Sequence, residues 1–184
     1  GEIPLVKSGI SNVLEHSNPN FDDQKDHLKL LTVGSAVGSF NSVVMIEKDK
    51  ILVFGGKQEG DEYAPSNKVF MIDFSNSFKP QIQELKSMNF ARSNGNATIM
   101  PDGNIFINGG TSYKDLEFSV FTPEIYNPYT QTTQEMSNAY FRRNYHGSSL
   151  LLPDGRILTA GGDTWNAEIF YPPYLFTKNI DNQT

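Results

Sequence analysis

A threefold repeat constrains this chain more than any other feature. Three segments read as strand, tight turn, strand, Gly-Gly. The first runs Val43-Val44-Met45-Ile46, Glu47-Lys48-Asp49-Lys50, then Ile51-Leu52-Val53-Phe54-Gly55-Gly56. The second runs Thr98-Ile99-Met100, Pro101-Asp102-Gly103-Asn104, then Ile105-Phe106-Ile107-Asn108-Gly109-Gly110. The third runs Leu150-Leu151-Leu152, Pro153-Asp154-Gly155-Arg156, then Ile157-Leu158-Thr159-Ala160-Gly161-Gly162. Gly55 and Gly109 are 54 positions apart, and Gly109 and Gly161 are 52 apart.

Each piece has a physical reason. Asp-Gly between apolar runs favours a hairpin, because Gly takes positive φ freely and Asp tolerates it better than most residues. The preceding Pro suits a turn start. Strands that are apolar on both faces suit a sheet packed between two neighbours. Paired glycines let the backbone bend and pass close to another strand. A third strand follows each Gly-Gly at Lys68–Ile72, Glu124–Pro128 and Glu168–Pro172. A fourth, more polar one is expected at Gln81–Leu85 and Thr132–Met136. Four strands in a period of roughly 50 residues, with Gly-Gly after the second, is the kelch pattern. The expected fold is all-β: about three four-stranded kelch-type β-propeller blades.

Propellers close with about four to eight blades, and 184 residues hold fewer at this period. The expected organisation is the end of a preceding blade plus an irregular loop over 1–36. Three blades follow over 37–176, and 177–184 begins a linker to a further domain. Such an arc is expected to pack on remaining blades or on another chain. The chain starts at Gly1 without Met or a secretory pattern, which suggests a processed or excised start.

Composition removes several function classes. The net charge is −6 and no basic stripe is present, which argues against a nucleic-acid partner. There is no cysteine, so a thiolate metal site and a cysteine nucleophile are excluded. No apolar run approaches the roughly 20 residues of a membrane-spanning helix.

The innermost strand of each blade precedes the Asp-Gly turn, and propeller chemistry collects near the axis. Counted back from the turn, Tyr145 corresponds to Ser93 and Ser39, and His146 to Asn94 and Phe40. The third copy thus carries Tyr-His where the others carry unrelated residues. Imidazole ligates copper or zinc, and a phenol can ligate copper(II) or move a proton. A Tyr and a His in an aromatic-rich β protein are more often hydrogen-bonded packing residues. Arg143 and Arg92, at the strand starts, can tie blades together through backbone carbonyls or line a pocket with Asn94.

Arg143-Asn144-Tyr145-His146, running into Leu150-Leu151-Leu152-Pro153-Asp154-Gly155-Arg156, resembles the signature of the galactose oxidase and glyoxal oxidase family of copper radical oxidases. Phe90-Ala91-Arg92 resembles that family's preceding blade. Val120-Phe121-Thr122-Pro123-Glu124-Ile125-Tyr126 and Ala167-Glu168-Ile169-Phe170-Tyr171-Pro172-Pro173-Tyr174-Leu175 are also similar to it. The resemblance implies an oxidase acting on a small alcohol, aldehyde or carbohydrate, with O₂ reduced to H₂O₂. It implies copper as cofactor, with Tyr145 as axial ligand and proton acceptor and His146 as an equatorial ligand. It also implies a secreted protein. The family's Tyr–Cys cofactor cannot form within a chain that has no cysteine. Its second His ligand lies in the domain after the propeller. Where the family pattern reads Arg-x-Phe-His, this chain reads Arg92-Ser93-Asn94-Gly95, so this chain alone is not expected to be a working oxidase. The alternative is a non-catalytic kelch module binding a protein or glycan.

Other features read as structure. Trp165 suits a loop residue covering a blade edge. His16 and His27, with Asp22, Asp23 and Asp26, suit a solvated acidic loop. The sequons at Asn96 and Asn182 are weak, the first because it falls on an inner strand.

Overall fold

The computed structural model describes residues 39–57, 64–76, 80–112 and 118–176. The expectations for residues 1–36, for 177–184, and hence for His16, His27 and Asn182, fall outside them. Eleven strands form three antiparallel sheets. Blade 1 holds β1 (Ser42–Glu47), β2 (Lys50–Phe54), β3 (Val69–Asp73) and β4 (Gln81–Leu85) in consecutive order. Blade 2 holds β5 (Ser93–Ile99), β6 (Ile105–Thr111), β7 (Glu124–Asn127) and β8 (Thr132–Glu135). Blade 3 holds β9 (Gly147–Leu151), β10 (Ile157–Gly161) and β11 (Glu168–Phe170). It has no fourth strand among the described residues. After Phe170 the chain meets Pro172-Pro173 and turns into a short 3-10 helix over Pro173–Phe176, where proline supplies no ladder donor.

The Asp-Gly hairpins are built alike. The Gly103 N–H donates to the Met100 carbonyl at 3.0 Å and the Gly155 N–H to the Leu152 carbonyl at 2.9 Å. Gly103 and Gly155 have φ of 81° and 85°, the left-handed geometry that closes a hairpin with a one-residue bulge. In each turn the aspartate caps the backbone two residues on: Asp102 accepts from the Asn104 N–H at 3.0 Å, and Asp154 from the Arg156 N–H at 3.1 Å.

The blades pack face to face. β5 lies against β1 on one side and β9 on the other, so the first strands line the inner edge. Val44, Leu52, Phe54, Val69 and Leu85 of blade 1 share one core with Ile105, Ile107 and Tyr126 of blade 2. Phe106, Ile125 and Met100 of blade 2 share another with Ile157 of blade 3. Alternation along β6 sends Ile105 and Ile107 one way and Phe106 the other, so this strand is buried on both faces. Each such side chain contributes about 1.5–3 kcal/mol on burial.

The glycine pairs make this stacking close. The Gly56 N–H donates to the Arg92 carbonyl at 2.8 Å, and the Gly110 N–H to the Arg143 carbonyl at 2.6 Å. A Cβ on Gly109 would stand 2.1 Å from the Arg143 carbonyl oxygen. The repeat's Gly-Gly is therefore the point where one blade's backbone bonds to the next.

Candidate metal edge at the start of the third inner strand

The register supports the in-phase comparison for Phe40, Asn94 and His146. Tyr145 has no pairing like that of Ser93 or Ser39, the third copy holding one more residue between its arginine and its first strand glycine. Ser39 pairs with Lys57, and Ser93 pairs with Thr111, 54 positions on in each case. Gly95 opposite Gly109 matches Gly147 opposite Gly161. Phe40, Asn94 and His146 therefore occupy one position in successive blades, and all three are left-handed, with φ of 57°, 56° and 61°. Left-handed backbone is uncommon for any residue but glycine, and Asn and His adopt it more readily than Phe. The fold thus holds this position in a strained conformation while its side chain changes from blade to blade.

In blade 3 the strained residue belongs to a turn, not to the strand itself. The Gly147 N–H donates to the Asn144 carbonyl at 2.7 Å, leaving Tyr145 and His146 as the two central residues. Neighbouring strand residues point to opposite faces. The positive φ at His146 breaks that alternation, and the two rings lie side by side with centroids 3.8 Å apart and planes at 60°. Both side chains are exposed, Tyr145 at 53%. Neither makes a hydrogen bond with any of the described residues.

The turn is anchored from below. Arg143 Nη1 donates to Thr164 Oγ1 at 2.6 Å and Nη2 to the Asn166 carbonyl at 2.9 Å. Its Nη2 stands 3.5 Å from Glu168 Oε2. Glu168 in turn accepts from the Tyr140 and Phe141 N–H groups at 2.6 and 3.1 Å. Blade 2 repeats this clasp. Arg92 donates to the Gly109 and Thr122 carbonyls at 2.8 and 3.0 Å and to Glu124 at 2.6 Å. Glu124 accepts from the Asn89 N–H at 2.6 Å. The guanidinium groups do not tie one blade to the next: they bind carbonyls within their own blade. The cross-blade bonds go through the arginines' backbone carbonyls. Burial draws both guanidinium groups below the usual arginine range, with Glu124 and Glu168 opposing the shift.

Asn94 sits at the inner edge, half-buried, its N–H donating to the Phe40 carbonyl at 2.9 Å. Phe40 is half exposed, with the Lys57 ammonium 4.6 Å from its ring centre. Phe40 and Lys57 were not singled out in the sequence, although the in-phase comparison already placed Phe40 opposite His146. Trp165 corrects its expectation: it is fully exposed and covers no blade edge. Asn96 pairs with Asn108 inside the sheet and its Nδ2 is buried, so that sequon is closed off.

Copper(II) accepts imidazole nitrogen and phenol oxygen. An exposed Tyr–His pair with both polar atoms uncommitted fits part of its ligand set. Among the described residues no group of three or more His, Cys, Asp or Glu stands ready to hold a metal, so the fit is partial.

Blades with a glycine-pair seam and inner strands side by side define a kelch-type propeller arc. The chain belongs to the family described as the glyoxal oxidase N-terminus, whose model matches residues 32–178. Galactose oxidase from Gibberella zeae is 33% identical over 146 residues, covering 72% of this chain and 21% of that protein. Aldehyde oxidase GLOX1 from Arabidopsis thaliana is 27% identical over 155 residues, covering 68% of this chain and 25% of that protein. The chain thus spans about a fifth to a quarter of the length of these relatives. A solved structure of a novel fungal alcohol oxidase of the AA5 family, in complex with copper, matches with a TM-score of 0.65 at 27% identity. That match covers 75% of this chain and 32% of the other.

Proposed function

We propose that this chain forms part of a copper radical oxidase that takes a primary alcohol or aldehyde to the next oxidation state with O₂ reduced to H₂O₂. For an alcohol the balance is RCH₂OH + O₂ → RCHO + H₂O₂. The observation that carries the reading is the Tyr145–His146 turn, held left-handed and exposed within the family-matched stretch.

Tyr145 and His146 would hold copper through the phenol oxygen and an imidazole nitrogen. Copper, when bound, supplies the one-electron redox couple that joins the two half-reactions. The Tyr145 oxygen is also the acceptor for the substrate hydroxyl proton, a role that general acid–base catalysis makes worth about 10²–10⁴-fold. Asn94 and Phe40, at the matching positions of adjacent blades, would present an amide and an apolar ring to the substrate. Arg92 and Arg143 act as positioning residues beneath the turn.

A Tyr–Cys cofactor needs a cysteine from another part of the protein, since this chain has none. A neighbouring blade or chain is supported by the outer face of blade 3. There Leu150, Leu158 and Ile169 sit opposite one another, with Leu150 and Ile169 exposed. Secretion is carried over from the resemblance.

The test is H₂O₂ release from primary alcohols by the whole copper-loaded protein. Tyr145→Phe is expected to lower turnover at least about a hundredfold. Undiminished turnover in that variant would remove Tyr145 from the mechanism.

A further inference from the structure

We propose that the cleft between blades 2 and 3 is a binding site for a small neutral hydroxyl-bearing ring compound of about phenol size. The cavity measures about 170 Å³, and an engineered protein cavity of about 150 Å³ takes up benzene. Its walls are Phe106 and Phe170, whose rings stack at 4.3 Å, together with Pro123 and Ala139.

The repeat supplies an internal control. In the preceding seam, between blades 1 and 2, large apolar side chains stand at the matching positions. Phe54, Met88 and Ile107 are each buried to 2% exposure or less in one continuous core there. Strand register and the shared clasp identify their counterparts one blade on as Asn108, Ala139 and Thr159. All three replacements shorten the side chain, and all three line the cavity. The space therefore arises from specific changes at otherwise repeated positions.

The polar end sets the ligand class. Asn108 is 3% exposed and its Oδ1 has no hydrogen-bond partner among the described residues. A buried acceptor left unmade is unfavourable, so a donor from the occupant is the missing partner. Glu168 also lines the cavity, but its carboxylate already takes two backbone N–H groups and faces Arg143. Its charge is answered, so a cation is not called for. A water filling this volume would need several polar contacts per molecule, and the walls are mostly apolar. A ring with one hydroxyl satisfies both ends.

The probe is phenol, with toluene as the ring that lacks a donor. Phenol is not a primary alcohol, so the outcome is independent of the proposed oxidation. Calorimetric titration of the full chain is expected to give one saturable phenol site, about tenfold tighter than toluene. An NMR contact between bound phenol and the Ala139 methyl is expected in the unsubstituted chain. Ala139→Met and Asn108→Phe, which import the residues of the other seam, are each expected to weaken phenol at least about tenfold. Ala139→Met is the milder change and stands if Asn108→Phe fails to fold. No saturable site, no contact to the Ala139 methyl, equal affinity for toluene, or unchanged affinity in a folded Ala139→Met protein would each overturn the assignment.

Discussion

Arg92 Nη2 lies 2.6 Å from Glu124 Oε2, and both side chains are essentially sealed from solvent. Removing one partner strands the other charge in the interior. Arg92→Ala is expected to destabilise the chain by about 3–5 kcal/mol, measured by denaturant unfolding. Arg92→Met combined with Glu124→Leu is expected to cost less than the sum of the single changes, because no lone charge remains. It does not fully recover, since the Asn89 N–H loses its acceptor. Blade 1 carries the uncharged Phe70 at the register position of Glu124.

The second seam bond predicts intolerance at Gly109. With φ at 66° and a Cβ position 2.1 Å from the Arg143 carbonyl oxygen, Gly109→Ala must push two blades apart. A loss of at least about 1–3 kcal/mol in unfolding free energy is expected. Gly103→Ala is the comparison. Its Cβ would meet only the Tyr129 ring at 3.8 Å, so only the backbone strain applies.

Tyr126 gives a pH prediction. Its ring packs edge-on to Phe54 with centroids 5.4 Å apart, and its hydroxyl has no partner among the described residues. Burial pushes its pKa up to about 12. The unfolded chain loses this proton near pH 10, so between about pH 10 and 12 the folded state holds more protons. Stability is therefore present below pH 10 and falls as the pH rises through that window. Tyr126→Phe is expected to be neutral or stabilising at pH 7 and to flatten the alkaline decline. An unchanged alkaline profile in the variant would assign that decline to other groups.

Position 146 separates folding from chemistry. The left-handed backbone makes His146→Val unfavourable by roughly 1–2 kcal/mol, whereas His146→Asn copies blade 2 and is expected to fold as well as the original. A thermal melt of each distinguishes them. Equal melts for the two would mean that the turn does not impose its conformation on this residue.

The repeat was legible because each of its devices is local. Asp-Gly, Gly-Gly and runs of Val, Ile and Leu act within a few residues, and the first two strands of every blade fall where they predict. The Tyr145–His146 pair was also visible, as a break in an otherwise regular register. Its geometry was not. A histidine does not by itself impose a left-handed backbone, so only the folded turn reveals why the Tyr145 and His146 rings stand together. The arginine clasp was hidden for another reason: Arg92 finds Glu124 across 32 positions, and Arg143 finds Glu168 across 25. Asn108 was not singled out in the sequence, because its setting depends on Ala139 and Thr159 approaching from other elements. Among the described residues blade 3 has three strands, and its third, expected to run on to Pro172, ends at Phe170, just before Pro172-Pro173, where proline supplies no ladder donor.

The central claim is that Tyr145 and His146 form one metal edge. Electron paramagnetic resonance of the whole protein loaded with copper(II) tests it most directly, using His146→Asn, the variant expected to keep the fold. The account predicts that nitrogen hyperfine coupling from one imidazole disappears and copper affinity falls. A copper spectrum and affinity identical to those of the unsubstituted protein would contradict it.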